Sequence, residues 1–299
     1  MKQALRNSYV LMTGTEDDTR LSISDDLFGP STKLFLSKFI KPNMHVLEVG
    51  CGIGQIACWI AEQVSPQGKV VGLDLSQDSL DISIKRANSK GLSNIDFIRS
   101  NVDKLPSDIG LFDIVFCRFL LIHLRDPLLA LSNMSSKLKP GGILCCEEPS
   151  TGTHYCAPPF EPFQKADALT QALGRTNGVN YALGDSIKLL LDTLRGPEED
   201  LQIEFSQIEI TNLQHRSIYA LSFDQISSKI IDAQLATKHE VAEISSSLWK
   251  LANEGKDGNP LKHRIFSFKR TQASLLFKAS IPEIKEHIKI HSNTIGSPQ

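Results

Sequence analysis

The residues best suited to binding a small molecule form the glycine-rich turn 50–54 (GCGIG), directly after a short apolar run. Glycine permits tight backbone torsions and lets a ligand approach the main chain closely. The helical pattern that begins at Gln55 adds free backbone N–H groups and the positive end of a helix dipole. The sequence therefore predicts a ligand-binding turn between a strand and a helix.

Two acidic residues flank this turn. Asp74 ends the next apolar run, where a carboxylate can accept hydrogen bonds from both hydroxyls of a ribose. Glu48 precedes the turn, and its negative charge is poorly suited to a pyrophosphate. A dinucleotide site would also need a glycine at the position that Gln55 occupies. The pattern favours a cofactor with a cationic amino-acid end and no phosphate, such as S-adenosylmethionine.

The elements that position these residues alternate between strand-like and helical patterns over 44–148. Strands that alternate with helices of this length predict a parallel sheet covered on both faces. The near-continuous apolar character of the strands fits burial on both sides. The predicted strands are 45–49, 69–73, 95–98, 113–117 and 143–146, and the predicted helices are 55–64, 78–90 and 127–138.

The pattern changes after Pro149. A proline-rich loop is predicted over 151–162, and an alternating apolar and polar segment predicts a half-exposed strand over 202–213. A last strand is predicted over 270–279. Further helices are predicted over 163–173 and 186–194, with a helical pair over 222–253.

Composition restricts the partners and the compartment. The 299 residues carry a net charge of −2, so no basic surface for nucleic acid or an anionic membrane is expected. No apolar run approaches the roughly 18 residues of a membrane helix, and the N-terminus lacks the apolar core of a secretory signal. The six cysteines show neither a C-x-x-C pair nor a zinc-ligand spacing. We expect reduced thiols in a cytoplasmic protein without a metal.

The segments EVGCGIG, VVGLDLS, SNVDKLP, FDIVFCRFLLIHL and LKPGGIL occur in this order. Together they resemble class I S-adenosylmethionine-dependent methyltransferases. The similarity is greatest to the C-methyltransferases of ubiquinone and menaquinone biosynthesis and to small-molecule methyltransferases of secondary metabolism. The resemblance covers residues 5–150.

The resemblance implies a Rossmann-like α/β fold. Its sheet has seven strands, mostly parallel, with helices on both faces and a helical insertion before the last strand, which is antiparallel. We expect an N-terminal segment over 1–40 that covers the cofactor, a core over 41–213 and 270–280, an insertion over 214–269 and a flexible tail over 281–299.

Apolar residues in the insertion need a surface to pack against, because four of them follow helical spacings of three and four. We interpret 214–269 as a lid over the acceptor, with the polar segment 255–259 as its hinge. An interface in a homodimer is the alternative interpretation. The four residues are Val241, Ile244, Leu248 and Leu251.

The resemblance also assigns cofactor contacts. Glu48 and the turn 50–54 would hold the methionine end, Asp74 the ribose, and Asn101 the adenine amino group, although the family usually has Asp there. Tyr9 and Arg20 resemble a segment that folds over the cofactor. The complete predicted set is Glu48, Gly50, Cys51, Gly52, Gly54, Gln55, Asp74, Leu75, Ser76, Asn101, Val102, Cys117, Arg118, Phe119, Tyr9 and Arg20.

Methyl transfer from a sulfonium depends mainly on alignment, and a base is needed only when the acceptor must lose a proton. His123 is the first candidate for that base, followed by Glu148 and its neighbour Glu147. His154 and Tyr155 are candidates for the wall of an acceptor pocket.

Rival functions make different demands on the sequence. An NAD(P)-dependent oxidoreductase would need glycine at position 55 and a Tyr-x-x-x-Lys motif, and the chain has neither. The segment CRFL after the fourth strand differs from the N/D-P-P-Y/F motif of amino-methylating enzymes. A cofactor-binding regulatory protein without turnover is the other alternative. The expected acceptor is a small, partly apolar molecule methylated on O, N, S or C.

Overall fold

The computed structural model describes Leu11 and residues 17–65, 67–196 and 199–277. Within these residues the chain forms nine strands, seven of them in one sheet. The strands are β1 (His45–Val49), β2 (Lys69–Asp74), β3 (Ile95–Arg99), β4 (Phe112–Arg118), β5 (Leu138–Ser150), β6 (Tyr155–Ala157), β7 (Asp200–Ser206), β8 (Arg264–Phe266) and β9 (Lys269–Leu276).

Eight α-helices connect or flank these strands in the described ranges. They are α1 (Asp18–Leu36), α2 (Gln55–Val64), α3 (Gln77–Ser89), α4 (Pro127–Ser135), α5 (Glu161–Asn177), α6 (Ile187–Leu194), α7 (Ile218–Asp232) and α8 (Lys238–Asn253).

The main sheet has the strand order β3-β2-β1-β4-β5-β9-β7. Strands β1 to β5 pair in parallel, whereas β9 runs antiparallel to both β5 and β7. The central strand β1 buries Val46 and Leu47 on opposite faces, as expected for a parallel sheet covered by helices. The predicted Rossmann-like, mostly parallel seven-stranded sheet is confirmed, including its reversed last strand.

Several predicted boundaries are wrong. The strand predicted over 143–146 is part of the longer β5, and the loop predicted over 151–162 contains β6. The helix expected to reach Leu138 ends at Ser135, and Leu138 already begins β5. The strand expected over 202–213 leaves the main sheet at Ser206. Beyond that point the chain bonds to β8, where Glu209 forms an isolated bridge with Phe266 and the N–H of Ile210 donates to the carbonyl of Ile265 at 2.8 Å.

Helix α1 lies within the expected N-terminal segment 1–40, for which no helix is predicted, and it contains the poor helix formers Gly29 and Pro30. Burial compensates for this poor propensity, since Phe28, Phe35 and Leu36 lie in the core. Of the expected N-terminal covering segment, residues 1–10 and 12–16 lie outside the described residues. The expected tail over 281–299 also lies outside them.

Helices α7 and α8 carry the apolar stripe of the insertion, and all four of its residues are buried. The fully buried guanidinium of Arg216, just before α7, fixes the two helices together. It donates to the carbonyls of Leu251 and His263 at 3.1 Å and contacts Glu254 at 3.3 Å. No helix in the described ranges combines the length and apolar character needed to cross a membrane.

Candidate functional site

Two adjoining cavities lie at the carboxyl ends of the parallel strands. The larger, about 650 Å³, is bordered by the ends of β1, β2 and β4, where the strand order reverses. Ligands in open α/β sheets bind at such switch points. The smaller cavity, about 180 Å³, is mainly apolar. The cavities share five lining residues: Leu11, Arg20, Ser24, Phe119 and His123.

The glycine-rich turn has positive φ values at its three glycines, which only glycine adopts without strain. Gly50 and Gly52 line the larger cavity, and a Cβ on Gly52 would meet no described atom within 4 Å. Gly54 is different, because its Cβ would lie 2.7 Å from Ser83 in α3 and it does not line the cavity. Its predicted cofactor contact is corrected to a packing role between α2 and α3.

Asp74 ends β2 at the wall of the larger cavity, as predicted. Its carboxylate accepts hydrogen bonds from the backbone N–H of Gly52 at 2.9 Å and of Ser76 at 2.8 Å. Burial raises the pKa of Asp74, against the opposing effect of these bonds. Each carboxylate oxygen keeps a lone pair for a ligand hydroxyl.

Glu48 lies in β1 with its side chain at the wall of the larger cavity. Its Oε2 atom is buried and has no hydrogen-bond partner among the described residues. Burial raises the pKa of Glu48 to about 8, against the attraction of the Arg118 guanidinium. A buried polar atom without a partner is costly, so this carboxyl group is suited to a cationic ligand group such as an ammonium.

The expected adenine-side residues follow β2 and β3. Leu75, Ser76, Asn101 and Val102 all line the larger cavity. The Asn101 side-chain oxygen accepts the N–H of Asp103 at 3.0 Å, which fixes the amide and leaves one lone pair for a ligand.

Phe119 follows β4 and adopts a left-handed φ of 55°, which is rare for an aromatic residue. Its ring contacts Phe28 and Phe268 edge-on, with ring centroids 5.5 and 5.8 Å apart. Arg118 also lines the larger cavity and pairs with Asp25 of α1 at 2.9 Å. Strain of this kind is concentrated at functional sites.

The predicted role of Cys117 needs correction. Its side chain is fully buried in β4, and the residue lines neither cavity. Successive residues of a strand face opposite sides, so Arg118 borders the cavity whereas Cys117 packs in the core.

His123 lies in the short helical turn 121–123 after β4 and borders both cavities. Burial lowers the pKa of its imidazole to about 3, with a smaller contribution from the charge of Arg20. Its ring lies edge-on to Tyr181, with the ring centroids 5.7 Å apart. The imidazole is therefore neutral near pH 7, and it borders both cavities.

The two carboxylates at the end of β5, Glu147 and Glu148, bond to other parts of the protein and have structural roles. Glu148 accepts the backbone N–H groups of Leu120 at 3.1 Å and Leu121 at 2.9 Å, and it lines neither cavity. Glu147 forms a fully buried ion pair with Arg270 at 2.9 Å and accepts the Thr32 hydroxyl at 2.7 Å. The prediction of Glu148 as a base is corrected, because its carboxylate holds the turn that carries His123.

Aromatic and apolar residues from several elements surround the smaller cavity. His154 lies in this wall, as predicted. Tyr155 does not, because it is 47% exposed and stacks on Phe266 in the small β6–β8 sheet. The aromatic wall comprises Phe28, Phe119, Phe163, Tyr181, Tyr219, Phe223 and Phe268.

The predicted covering residues are only partly described. Arg20 lies in α1, borders both cavities and donates through Nε to Asp17 at 2.7 Å. Tyr9 lies outside the described residues. The structure therefore places one of the two at the site.

The sequence predicts Arg20 of α1 and a lid that contains α7, but it does not predict the other polar residues that α1, α5 and α7 bring to the site or its neighbourhood. Asp25, Asp167 and Tyr219 lie on these helices, far in sequence from the glycine-rich turn. The apolar face of α7 was recognisable, but spacing along a helix does not reveal which cavity the helix borders. No group of His, Cys, Asp or Glu in the described part of the chain is arranged to hold a metal ion.

Comparison with known proteins shows what the region around the larger cavity is similar to. Residues 40–176, slightly less than half of the chain, match the family model described as a methyltransferase domain. An uncharacterized methyltransferase of Schizosaccharomyces pombe is 33% identical over 162 residues, which cover 52% of this chain and 57% of the relative. The demethylmenaquinone methyltransferase of Lactococcus lactis is 36% identical over 110 residues, with coverages of 37% and 44%.

The chain thus spans about half the length of the curated relatives that it matches. Among solved structures, the phosphoethanolamine N-methyltransferase 2 of Haemonchus contortus has a TM-score of 0.52 at 16% identity. That alignment covers 89% of this chain and 58% of the other chain. It supports the same fold beyond the region of sequence similarity.

Proposed function

We propose that this chain, whose residues 40–176 match the model of a methyltransferase domain, is a class I S-adenosylmethionine-dependent enzyme that methylates a small, largely apolar acceptor. One observation carries the proposal. The larger cavity contains a buried, unpartnered carboxylate oxygen of Glu48 and shares Phe119 and His123 with the apolar cavity. A cofactor site and an acceptor site therefore adjoin.

The residues around the larger cavity fit S-adenosylmethionine. Glu48 would hold the ammonium group, Asp74 the ribose hydroxyls, and the open space beside Gly52 would admit the methionine end. When bound, the cofactor supplies an electrophilic methyl group on a sulfonium. The Haemonchus enzyme with the same fold was solved with S-adenosylhomocysteine, which supports this assignment.

The smaller cavity fits an apolar acceptor, because aromatic rings form most of its wall. Burial of apolar ligand surface there would drive binding, with a few polar groups fixing the orientation. The name of the Lactococcus relative, a demethylmenaquinone methyltransferase, supports an acceptor of apolar character.

The chain's own residues contribute mainly alignment and exclusion of water. Phe119 and His123 border both cavities, so they are placed to position the reacting group of the acceptor. Glu148 fixes the backbone N–H groups of the turn that carries His123. Correct alignment supplies much of the rate of a displacement at a methyl group.

Helices α7 and α8 act as a lid over the acceptor. Ile218, Tyr219 and Phe223 line the smaller cavity, and the segment 255–259 after α8 is largely exposed. Limited proteolysis should cut the cofactor-free protein near 255–259, and cofactor with acceptor should slow the cut at least severalfold. An unchanged cutting rate would contradict the lid.

The compartment is a reducing cytoplasm. All six cysteines are free and buried, as expected where thiols stay reduced. Unchanged thermal stability with and without a reductant would agree with this assignment, whereas loss of stability on reduction would contradict it.

The function is tested with radiolabelled S-adenosylmethionine and a panel of small hydroxylated and aminated aromatic compounds. Transfer of label to an organic-soluble product, absent in Gly52→Val, would support the proposal. NAD is the negative control for binding. Binding of NAD without binding of S-adenosylmethionine would overturn the proposal.

A further inference from the structure

We propose that His154, Asp167 and Tyr219 form a hydroxyl-binding subsite within the apolar cavity. The acceptor would then be a small aromatic or apolar molecule with a hydroxyl group separate from the atom that receives the methyl. This inference rests on the proposed function, because it identifies the class of molecule that occupies the acceptor cavity.

The imidazole of His154 is held in a fixed orientation. Its Nε2 atom lies 3.1 Å from Oδ1 of Asp167 in α5. Gln171, one turn later, donates to the other carboxylate oxygen of Asp167 at 2.7 Å. The His154 ring also packs edge-on against Phe163, with the ring centroids 4.8 Å apart. These contacts leave the imidazole little freedom to rotate.

Three side-chain atoms of this group are buried without a well-aligned hydrogen bond in the described part of the chain. They are Nδ1 of His154, Oδ1 of Asp167 and the hydroxyl oxygen of Tyr219, and all three residues line the smaller cavity. The backbone N–H of Phe268 acts on the Tyr219 oxygen, which leaves the hydroxyl proton available to a ligand. The His154 side chain is only 9% exposed, and the two rings lie with centroids 5.0 Å apart. Buried polar atoms normally have hydrogen-bond partners. The lack of such partners for these atoms therefore indicates that a polar group of a ligand binds beside them.

The hydrogen-bonding role of the ligand group follows from which atoms of His154 and Tyr219 can donate and which can accept. The carboxylate of Asp167 favours a proton on Nε2 of His154, so Nδ1 is an acceptor. The Tyr219 hydroxyl can donate. A ligand hydroxyl satisfies both, because it donates to Nδ1 and accepts from Tyr219. A ketone satisfies only Tyr219, and a hydrocarbon satisfies neither.

Charged ligand groups fit less well. The negative charge of Asp167 already faces His154 and Gln171. Apart from histidine, the described lining of this cavity contains a single cationic residue, Arg20, and Asp17 engages its guanidinium. A carboxylate would therefore enter without a counter-charge, at a large desolvation cost.

The hydroxyl at this subsite serves recognition. His154 lines only the smaller cavity, whereas His123 borders both cavities. The group that receives the methyl must lie near the shared wall, so it is a different part of the acceptor. His154 and Tyr219 are therefore specificity-determining residues.

The test compares the affinities of 1-naphthol and naphthalene for the protein saturated with S-adenosylhomocysteine. These probes differ only in a hydroxyl group. We expect 1-naphthol to bind about tenfold more tightly or better, since a buried hydrogen bond is worth about that factor. Tyr219→Phe and His154→Phe should each reduce the ratio to within about threefold of one, while the naphthalene affinity stays within about threefold of wild type.

Ser222→Ala is the matched control, because Ser222 lines the same cavity but its hydroxyl already donates to the carbonyl of Ile218 at 2.8 Å. It should keep the wild-type ratio. Equal affinity of the wild type for both probes, or an unchanged ratio in both Phe variants, would overturn the subsite. Tighter binding of 1-naphthylmethylamine than of 1-naphthol would also overturn it, since Asp167 would then select a cation.

Calorimetry with S-adenosylhomocysteine separates this inference from the proposed function. If the cofactor product does not bind, the proposed function fails, and the probe comparison on the cofactor-free protein still tests the subsite. If it binds while the probes are not discriminated, only the subsite fails.

Discussion

Asp74 and Gly52 are joined across the wall of the larger cavity, where the carboxylate accepts the backbone N–H of the glycine at 2.9 Å. The end of β2 thereby fixes the turn that follows β1. The same carboxylate that we assign to the ribose therefore also shapes the passage for the methionine end of the cofactor. Binding and local structure are coupled at this residue.

Substitution of Asp74 should consequently affect both affinity and stability. Asp74→Ala should weaken S-adenosylhomocysteine binding by about tenfold or more, because charge-assisted bonds are worth about 1.5–3 kcal/mol. Its unfolding free energy should also fall by about 1–3 kcal/mol. Calorimetry and thermal unfolding measure the two effects. Asp81→Ala, an exposed site on α3, should change neither, and normal binding by Asp74→Ala would remove Asp74 from the site.

Side chains added at Gly52 and at Gly54 of the glycine-rich turn should have different effects on cofactor binding and on stability. Gly52→Val directs atoms into the open cavity, so binding should fall at least a hundredfold. Its positive φ adds about 1–2 kcal/mol of strain. Gly54→Ala meets Ser83 at 2.7 Å and should mainly lower the Tm. Tight binding by folded Gly52→Val would show that the turn does not face the cofactor.

His123 should position the acceptor without removing its proton. A base works best when its pKa is near the working pH, and burial lowers the pKa of His123 to about 3. We expect His123→Gln to lower kcat by less than about tenfold, with the same pH profile as the wild type between pH 6 and 8.5. A loss of about a hundredfold or more, together with a vanished limb of the profile, would identify a base.

Stability without cofactor should depend on pH through Glu48. Its pKa is about 8 in the fold and near 4.5 when unfolded, so the folded state binds the extra proton between these values. This contribution to stability is present below pH 4.5 and is lost as the pH rises to about 8. Glu48→Gln should therefore gain stability relative to wild type from pH 5 to 8, by at least about 1.4 kcal/mol. A difference independent of pH would contradict the raised pKa.

Much of the cofactor side could be predicted because its determinants are local. The turn 50–54, Glu48 and Asp74 lie at the ends of neighbouring strands, and parallel strands bring their carboxyl ends to one edge. The mostly parallel sheet followed from the alternation of strands and helices, and its seven strands followed from the family resemblance.

The acceptor side could not be predicted in the same way. His154, Asp167 and Tyr219 meet from a loop and two helices, and no sequence spacing encodes that meeting. The end of β5 shows a second limit. Neighbouring residues of a strand point to opposite faces of the sheet, so an error of one residue places a side chain on the wrong face. Here both carboxylates have structural partners: Glu147 pairs with Arg270, and Glu148 accepts the backbone N–H of Leu121.

The central claim is that Glu48 holds the ammonium group of S-adenosylmethionine, and proton release on binding tests it most directly. At pH 7 the carboxyl group is mostly protonated in the empty cavity, because its pKa is about 8. A bound ammonium should ionise it and release close to one proton. Calorimetric titration with S-adenosylhomocysteine, in buffers of different ionisation enthalpy, should show this release in the wild type and not in Glu48→Gln. Binding without proton release, or equal release by both proteins, would contradict the account.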